Sequence, residues 1–445
     1  MADWRGLAVT GATAETLGGI DDFAQGLLGY QPRALNILPA ADAAPGCPLA
    51  NAYAAMAHMF AESATAPIQA RRYIERAQAA GGTARERLVT AAVRAWIEDD
   101  PASALRLGEQ ASLDHPRELP LLKVTQYHAF NLGDAPAMLR LGLRAVAANP
   151  DVPATHGLLA FGQEQCHMLQ EAEASAHAAL QADPDEPWSQ HALAHVLLTQ
   201  GRDAESRRFL EQAAPGWSRL NSFMRTHNWW HLALVMIEQG EAAAVLDRYG
   251  EIWGIEPSYS QDQIGAVSLL ARLELAGVDV GTRWQELAPW LLARLDDHVQ
   301  PFLSLQYLYG LARAGRPEAG VMLERIRARA AQAPEIARAA WAEIGVPACE
   351  GLLAHARGDW GGTLTHLGPV LPRLAEIGGS HAQRDLFHQI ATDALMRAGR
   401  LVAAQQGLEL RRAGNPHSQP TRHRLASVYQ ALGLPEEAAR LAIRA

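Results

Sequence analysis

The amino-acid sequence predicts an all-α fold, a right-handed solenoid of stacked helical hairpins. Prolines, alanines and turn residues carry this reading, because each class recurs at the same interval. The X-Pro steps His115-Pro116, Asn149-Pro150 and Asp183-Pro184 put prolines 34 residues apart twice in succession. Proline cannot continue a helix and biases the residue before it away from helical angles, so each step marks a break. Ala111, Ala145, Ala179 and Ala213 share the interval, and a small residue recurring at one place lets two helices approach closely. Asp99, Gly133, His167 and Gly201 share it again. Glycine at two of these positions suits a helix-ending residue with positive φ.

Helix, turn, helix and a closing proline at this interval form the tetratricopeptide signature. The phase starts units at Arg85, Leu119, Pro153 and Pro187. Further on the repeat loosens: Gly240, Gly277, Gly315 and Gly358 are spaced by 37 to 43 residues. It tightens again at Gly399 and Gly433, with Asn415-Pro416 at the expected break. We therefore expect one solenoid over 1–445, with room to close on itself around a central groove. Its parts are an irregular helical start (1–84), in-phase repeats (85–218), looser repeats (219–378) and C-terminal repeats (379–445). Within the start, LANAYAAMAHMFAE from Leu49 and IQARRYIERAQAA from Ile68 read as partner helices. GYQPRALNILPAADAAPGCP from Gly29 reads as a long connection laid on the stack.

A chain of 445 residues would ordinarily suggest several domains. A repeat stack escapes that rule, because each unit packs only on its neighbours. The net charge of -9 argues against nucleic acid, which needs a basic stripe. The three cysteines are scattered and form no CxxC pair, as expected of reduced thiols in the cytoplasm. The first residues lack the basic start and apolar stretch of a secretory signal. No apolar run is long enough for a membrane span.

In such hairpins the first helix lines the concave face. One stripe of these helices presents Lys123, Tyr127, Phe130 and Asn131, then Gly157, Phe161, Glu164 and Gln165. The next two helices add Trp188, His191, His195 and Thr199, then His227, Trp230 and Leu234, the last unit being counted from Thr226. The only lysine of the chain, Lys123, thus shares a surface with Glu164 and three histidines. HALAH places His191 and His195 one helical turn apart, and HNWWH does the same for His227 and His231 around Asn228.

Such HxxxH pairs have metal-ligand spacing. The glutamate base of an HExxH protease is absent. Glu164 could be a further metal ligand if the geometry converges, but no metal or other cofactor is assigned. Imidazoles also serve as general acids and bases. A lysine among aromatics can act as a base or form a Schiff base, or it can pair with a ligand carboxylate. Trp188 and Trp230 could stack on a flat or cationic ligand. Against these stands a plain structural reading, in which the histidines hydrogen-bond to the next helix and Trp229 and His156 are core. Late in the chain, GGSHAQRDLFHQ offers Ser380 as a helix cap, then His381, Arg384, Asp385 and His388. An interhelical Arg-Asp and His network is the simpler reading there.

The chain resembles the tetratricopeptide repeat protein 38 family. The resemblance rests on RERLVTAAVRAW from Arg85, LLKVTQYHAFNLGD from Leu121, PWSQHALAHV from Pro187, RTHNWWHLAL from Arg225, GVDVGTRWQEL from Gly277 and GGSHAQRD from Gly378. It implies shared residue types at Lys123, His191, His195, His227, Asn228, Trp230, His231, Gln383, Arg384 and Asp385. Two stretches depart from the family pattern: Gln126-Tyr127 stands for His-Asp, and Ser304-Leu305-Gln306 for Asp-x-His. Both replace ionisable groups with neutral ones. The resemblance implies no established reaction.

The expected function is a small-molecule site in the inner groove, with no nucleic acid and no membrane. Lys123, Glu164, His191, His195 and His227 are the candidates for acid-base or lysine-assisted chemistry, of the hydrolase or lyase type on a small metabolite. Tyr127, Asn131, Phe161, Trp188, Asn228, Trp230, His231, Arg384 and Asp385 are the candidates for binding. The alternative is a scaffold that binds a peptide in the same groove without catalysis.

Overall fold

The computed structural model describes residues 1–442. They form an all-α repeat solenoid of tetratricopeptide type, and the only strand-like feature among them is an isolated bridge between Ala2 and Ala8. The chain packs as two compact units. The first comprises Met1–Leu193, Gly216–Met224 and Ala333–Arg338; the second comprises the remainder.

The first unit opens with α1 (Ala14–Leu28), a 3-10 turn (Pro32–Asn36) and α2 (Ile37–Ala43). The stretch expected as a long connection is thus largely helical. Ile37, Ala40 and Ala41 fall at i, i+3 and i+4 and are all buried, so this short segment has an apolar face to pack. The pair α3 (Pro48–Met59) and α4 (Ala66–Ala80) follows as expected, one residue from the Leu49 start in the first case and two from Ile68 in the second. Three in-phase hairpins come next: α5 (Ala84–Ile97) with α6 (Pro101–Asp114), α7 (Leu119–Asn131) with α8 (Ala135–Ala148), and α9 (Pro153–Gln165) with α10 (Leu169–Ala182). Then comes α11 (Pro187–Thr199).

The unit starts predicted at Arg85, Leu119, Pro153 and Pro187 each lie within one residue of a helix start. Thr83 and Glu86 close a capping box at the head of α5, and the Asp100 and Asp134 side chains cap α6 and α8. Ala111, Ala145 and Ala179 are buried. Gly108 and Gly142, one period apart, sit where a Cβ would strike Thr125 and the Leu159 backbone, which shows how closely neighbouring helices approach.

The turn positions behave as the interval requires. Asp99, Gly133, His167 and Gly201 have φ of 59°, 72°, 62° and 67°. The later glycines at 240, 277, 315, 358, 399 and 433 also take positive φ. A side chain at such a position costs about 1–2 kcal/mol against glycine. We expect His167→Gly to raise stability by about 1 kcal/mol, read as a higher urea midpoint at unchanged slope. A lower midpoint would show that the contacts of His167 outweigh its backbone strain.

The second unit begins inside α11 and contains α12 (Asp203–Ala213) and most of α13 (Ser222–Glu238). α13 starts a full turn before the Thr226 expected from the glycine count. The phase loosens where the next hairpin arm breaks into short pieces, Ala242–Val245 and Tyr249–Ile252. Regular helices resume at Ser260–Leu275, Arg283–Leu292, Pro301–Arg313 and Glu318–Gln332. After Val346–Ala356 and Trp360–Leu367 comes a 3-10 segment, Gly368–Ile377, whose Pro369 and Pro372 remove backbone donors. Ser380 caps His381–Arg397 with Gln383 in a capping box, as expected. Leu401–Gly414, Gln419–Ala431 and Pro435–Ala442 complete the described chain. No helix among the described residues is long and apolar enough to cross a membrane.

Candidate functional site

In the first unit, the chain's own N-terminal helix ends against Lys123 of the predicted stripe. Lys123 on α7 donates to the carbonyls of Leu27 at 2.7 Å and Leu28 at 3.1 Å. These belong to the last turn of α1, whose carbonyls have no helical partner. An ammonium there satisfies them and complements the helix dipole. It also lies 3.6 Å from the ring centre of Tyr30 and 5.8 Å from that of Trp188. Burial pushes the Lys123 ammonium below its usual range, and the charge of Glu186 opposes this. Burial pushes Glu186 up in turn, although its carboxylate accepts from the backbone N–H of Ser189 at 2.6 Å and of Trp188 at 3.2 Å. Glu186 therefore caps α11 while facing the lysine. The lysine expected to be catalytic is a capping group in this geometry, with main-chain carbonyls on its ammonium.

Three rings of the predicted stripe pack together. Phe161 lies 4.8 Å from Trp188 and 5.2 Å from His191, and Trp188 stacks on His191 at 4.4 Å. Glu164 on α9 is fully buried and accepts from Gln165. Tyr127 is drawn elsewhere: it donates to Glu62 at 2.8 Å and packs against Phe60 and Trp96. Tyr127 is thus half-buried against the edge of the first core. Asn131 is half-buried at the end of α7. Gln126, one of the departures from the family pattern, donates to the Met138 and Leu158 carbonyls and ties α7 to α8 and α9.

In the second unit, His195 comes from α11 and His227 and His231 from α13. Their ring nitrogens lie within 4.8 Å of one another. His231 is the hub, with its ring centre 4.5 Å from His195 and 4.8 Å from His227. Trp230 stacks on His227 at 5.3 Å and 9°. Burial holds His227 down at about 3. It holds His231 well below its usual value too, helped by the cost of placing a second positive ring beside His195 or His227 and by the charge of Arg272. His227 and His231 are therefore neutral at pH 7 and, with so low a pKa, His227 is a poor proton acceptor. Nitrogen donation to a ligand suits them better than acid-base chemistry.

Asn228 shares the α13 face with His231 three residues on. It is wholly buried, and neither end of its amide has a hydrogen-bond partner. His191 lies one turn before His195, so α11 presents both on one side.

Arg272 was not expected from sequence. It lies 5.4 Å from the Trp230 ring and donates to Ser268 Oγ at 2.5 Å and to the Ala382 carbonyl at 2.6 Å. Burial lowers it to about 10. Asp385 is taken up by Arg411 and by Gln389 at 2.7 Å. Burial alone would raise Asp385, but Arg411 and Arg272 outweigh it and hold the carboxyl low. Arg384 donates to the Gly379 carbonyl of its own turn. Of the late motif, Asp385 thus forms an interhelical ion pair with Arg411, while Arg384 stays within its own turn. Ser304, at the other departure from the family pattern, contacts His298 Nδ1 at 3.2 Å.

Some of the residues that matter carried a local signal and others did not. Glu186 stands directly before the helix-opening Pro187, where an acid at a helix N-terminus could have been read. Tyr30 and Arg272 carried no signal of spacing or motif. A further concavity of about 460 Å³ lies off the predicted stripe, between α4, α5 and α6, with Arg87, Arg94 and Arg106 in its lining.

A tetratricopeptide repeat model matches residues 188–223, where the 34-residue phase places a unit. Among solved structures, the chain is similar to the human IFIT1 dimer with m7Gppp-AAAA, at 11% identity over 98% of this chain and 95% of that one, with a TM-score of 0.41. It is also similar to the structure of Naa15/Naa10 bound to HypK-THB, at 12% identity over 96% of this chain and 67% of that one, with a TM-score of 0.27. The protein carries a tetratricopeptide repeat within an all-α solenoid.

Proposed function

We propose that this protein, a member of the tetratricopeptide repeat protein 38 family, binds a small polar molecule at the imidazole set of α11 and α13. The carrying observation is Asn228, a buried amide with both polar ends unsatisfied, on the same helix face as His231. Each such group costs about 1–3 kcal/mol when left unpaired, and a polar ligand would recover that. The low basicity of His227 favours binding over acid-base catalysis. An extended peptide fits the inner face of the first unit less well, because α1 already lies there on Lys123. The three free cysteines, two of them buried, suit a reducing cytoplasm.

The test is thermal denaturation of chelator-treated protein against a panel of small polar metabolites. A ligand at a hundred times its Kd should stabilise by about 2.7 kcal/mol. Asn228→Leu should remove that shift while leaving the unliganded protein folded. A panel without effect on the wild type, or with equal effect on Asn228→Leu, would sink the reading.

A second reading is an acidic peptide at the concavity between α4, α5 and α6, where Arg87, Arg94 and Arg106 outnumber Glu98 and Asp100 in the lining and Arg94 is already paired with Glu98. It predicts that an acidic peptide binds and that Arg106→Glu abolishes the binding.

A further inference from the structure

We propose that His195, His227 and His231 form a binding site for a divalent transition-metal ion of the zinc class. This rests on the reading that the imidazole set is a ligand site, and it names the chemistry of the ligand.

The donor set is all imidazole nitrogen, which suits zinc, copper or nickel and not the oxygen-seeking magnesium or calcium. His227 and His231 are one turn apart on α13, and His195 faces them from α11. Their nitrogens lie within 4.8 Å of one another. A tetrahedral ion with bonds of about 2.0–2.1 Å places its donors about 3.3 Å apart. The rings therefore need to close by at most about 1.5 Å between donors, which rotations about their side-chain bonds can supply. Three histidines leave a coordination position open for water or an exogenous ligand. His191, one turn before His195 on α11, is the next donor along that face.

Asn228 supplies an independent observation. Its amide is buried beside His227 in sequence, on the His231 face, and lacks a protein partner at both ends. Metal-bound water is a strong hydrogen-bond donor, and the Asn228 carbonyl oxygen is free to accept from it. Outer partners of this kind orient bound water and tune its acidity.

Nearby charge sets the affinity. Arg272 disfavours a cation, since its charge already acts on His231. Asp385 and Glu238 oppose that charge, and Arg411 adds to it. With two acids against two arginines, the surroundings are nominally balanced, and the imidazole nitrogens provide the binding energy. Close ring packing of the histidines alone would explain their contacts, but not the unsatisfied Asn228 amide.

The experiment uses full-length protein stripped with chelator and dialysed, titrated with Zn(II) alone and with Co(II) alone. One equivalent should bind, and Co(II) should show the intense visible bands of four-coordinate nitrogen ligation. His227→Gln, at the half-buried edge of the set, and the double variant His227→Gln/His231→Gln should each weaken binding by more than the about 10–100-fold typical of outer-shell changes. Asn228→Leu should weaken it by about tenfold. His128→Leu, outside the set, should leave it unchanged, and circular dichroism checks that each variant is folded.

Absence of binding to folded wild type, or binding that persists in the folded double variant, overturns the proposal. If metal fails to bind while the metabolite panel still stabilises the protein through Asn228, only the metal is lost. If metal binds and the panel does nothing, only the small-molecule reading is lost.

Discussion

Arg85→Met should destabilise the protein by about 3–5 kcal/mol, the usual cost of removing one partner from a buried ion pair. Arg85 is buried and bridges Asp3 and Glu118, each at 2.8 Å, while its other terminal nitrogen donates to the Ala8 carbonyl at 2.9 Å. Glu118 is also buried and accepts from Tyr53 at 2.5 Å. Without the guanidinium, Glu118 is a carboxylate in the interior with only the Tyr53 phenol and the Leu121 backbone N–H to answer it. Burial already pushes Glu118 up, and Arg85 is the charge that restrains it. The variant's Glu118 should therefore take up a proton more readily in the folded state. A raised carboxyl pKa costs stability as pH rises through the window above about 4.3, so the deficit should be smallest in acid and grow toward neutrality. Urea unfolding of both proteins at pH 5 and pH 7 reads this directly. A deficit below about 1 kcal/mol, or one that shrinks as pH rises, would refute the account. Arg85→Met with Glu118→Leu should recover much of the loss, because an apolar pair needs no desolvated charge.

Acid should weaken the protein through His128 as well. Its ring sits edge-on to Trp96 at 4.9 Å, and burial alone holds its pKa down at about 3. An unfolded histidine titrates near about 6.5. Between these values the unfolded chain binds a proton that the folded one refuses, so stability is full above about 6.5 and falls as pH drops toward 3. From pH 7 to pH 5 this one residue should cost about 2 kcal/mol. His128→Leu fills similar volume and cannot titrate. Its stability should fall by about 2 kcal/mol less than that of the wild type over the same interval. Parallel pH profiles for the two proteins would show that His128 is not shielded from solvent.

The parts of the fold that could be read from sequence are those whose cause is local. A proline after a helix and a residue held at positive φ act within a few positions, and so the interval located the helix starts at Leu119, Pro153 and Pro187 and the turns at Asp99 and His167. His195, His227 and His231 were legible because helical geometry alone puts HxxxH on one face. Lys123 stands out in the sequence as the single lysine, but its partners lie 95 and 96 residues away, on the end of a helix that no repeat logic predicts. The same holds for Asp3 and Arg85, joined only because the N-terminal segment folds back on α5. Long-range pairings of single charges leave no periodic trace. Where they decide a residue's task, the residue type is visible and its task is not.

The Lys123 contact also gives the protein a property useful at the bench. Apart from the chain's amino terminus, the ε-amine of Lys123 is the only primary amine in the sequence, and α1 shields it. Amine-selective reagents can reach it only when α1 lifts from α7. The rate of that single modification measures the opening of the N-terminal helix, and a label placed there after partial opening would sit at one defined position on the inner face.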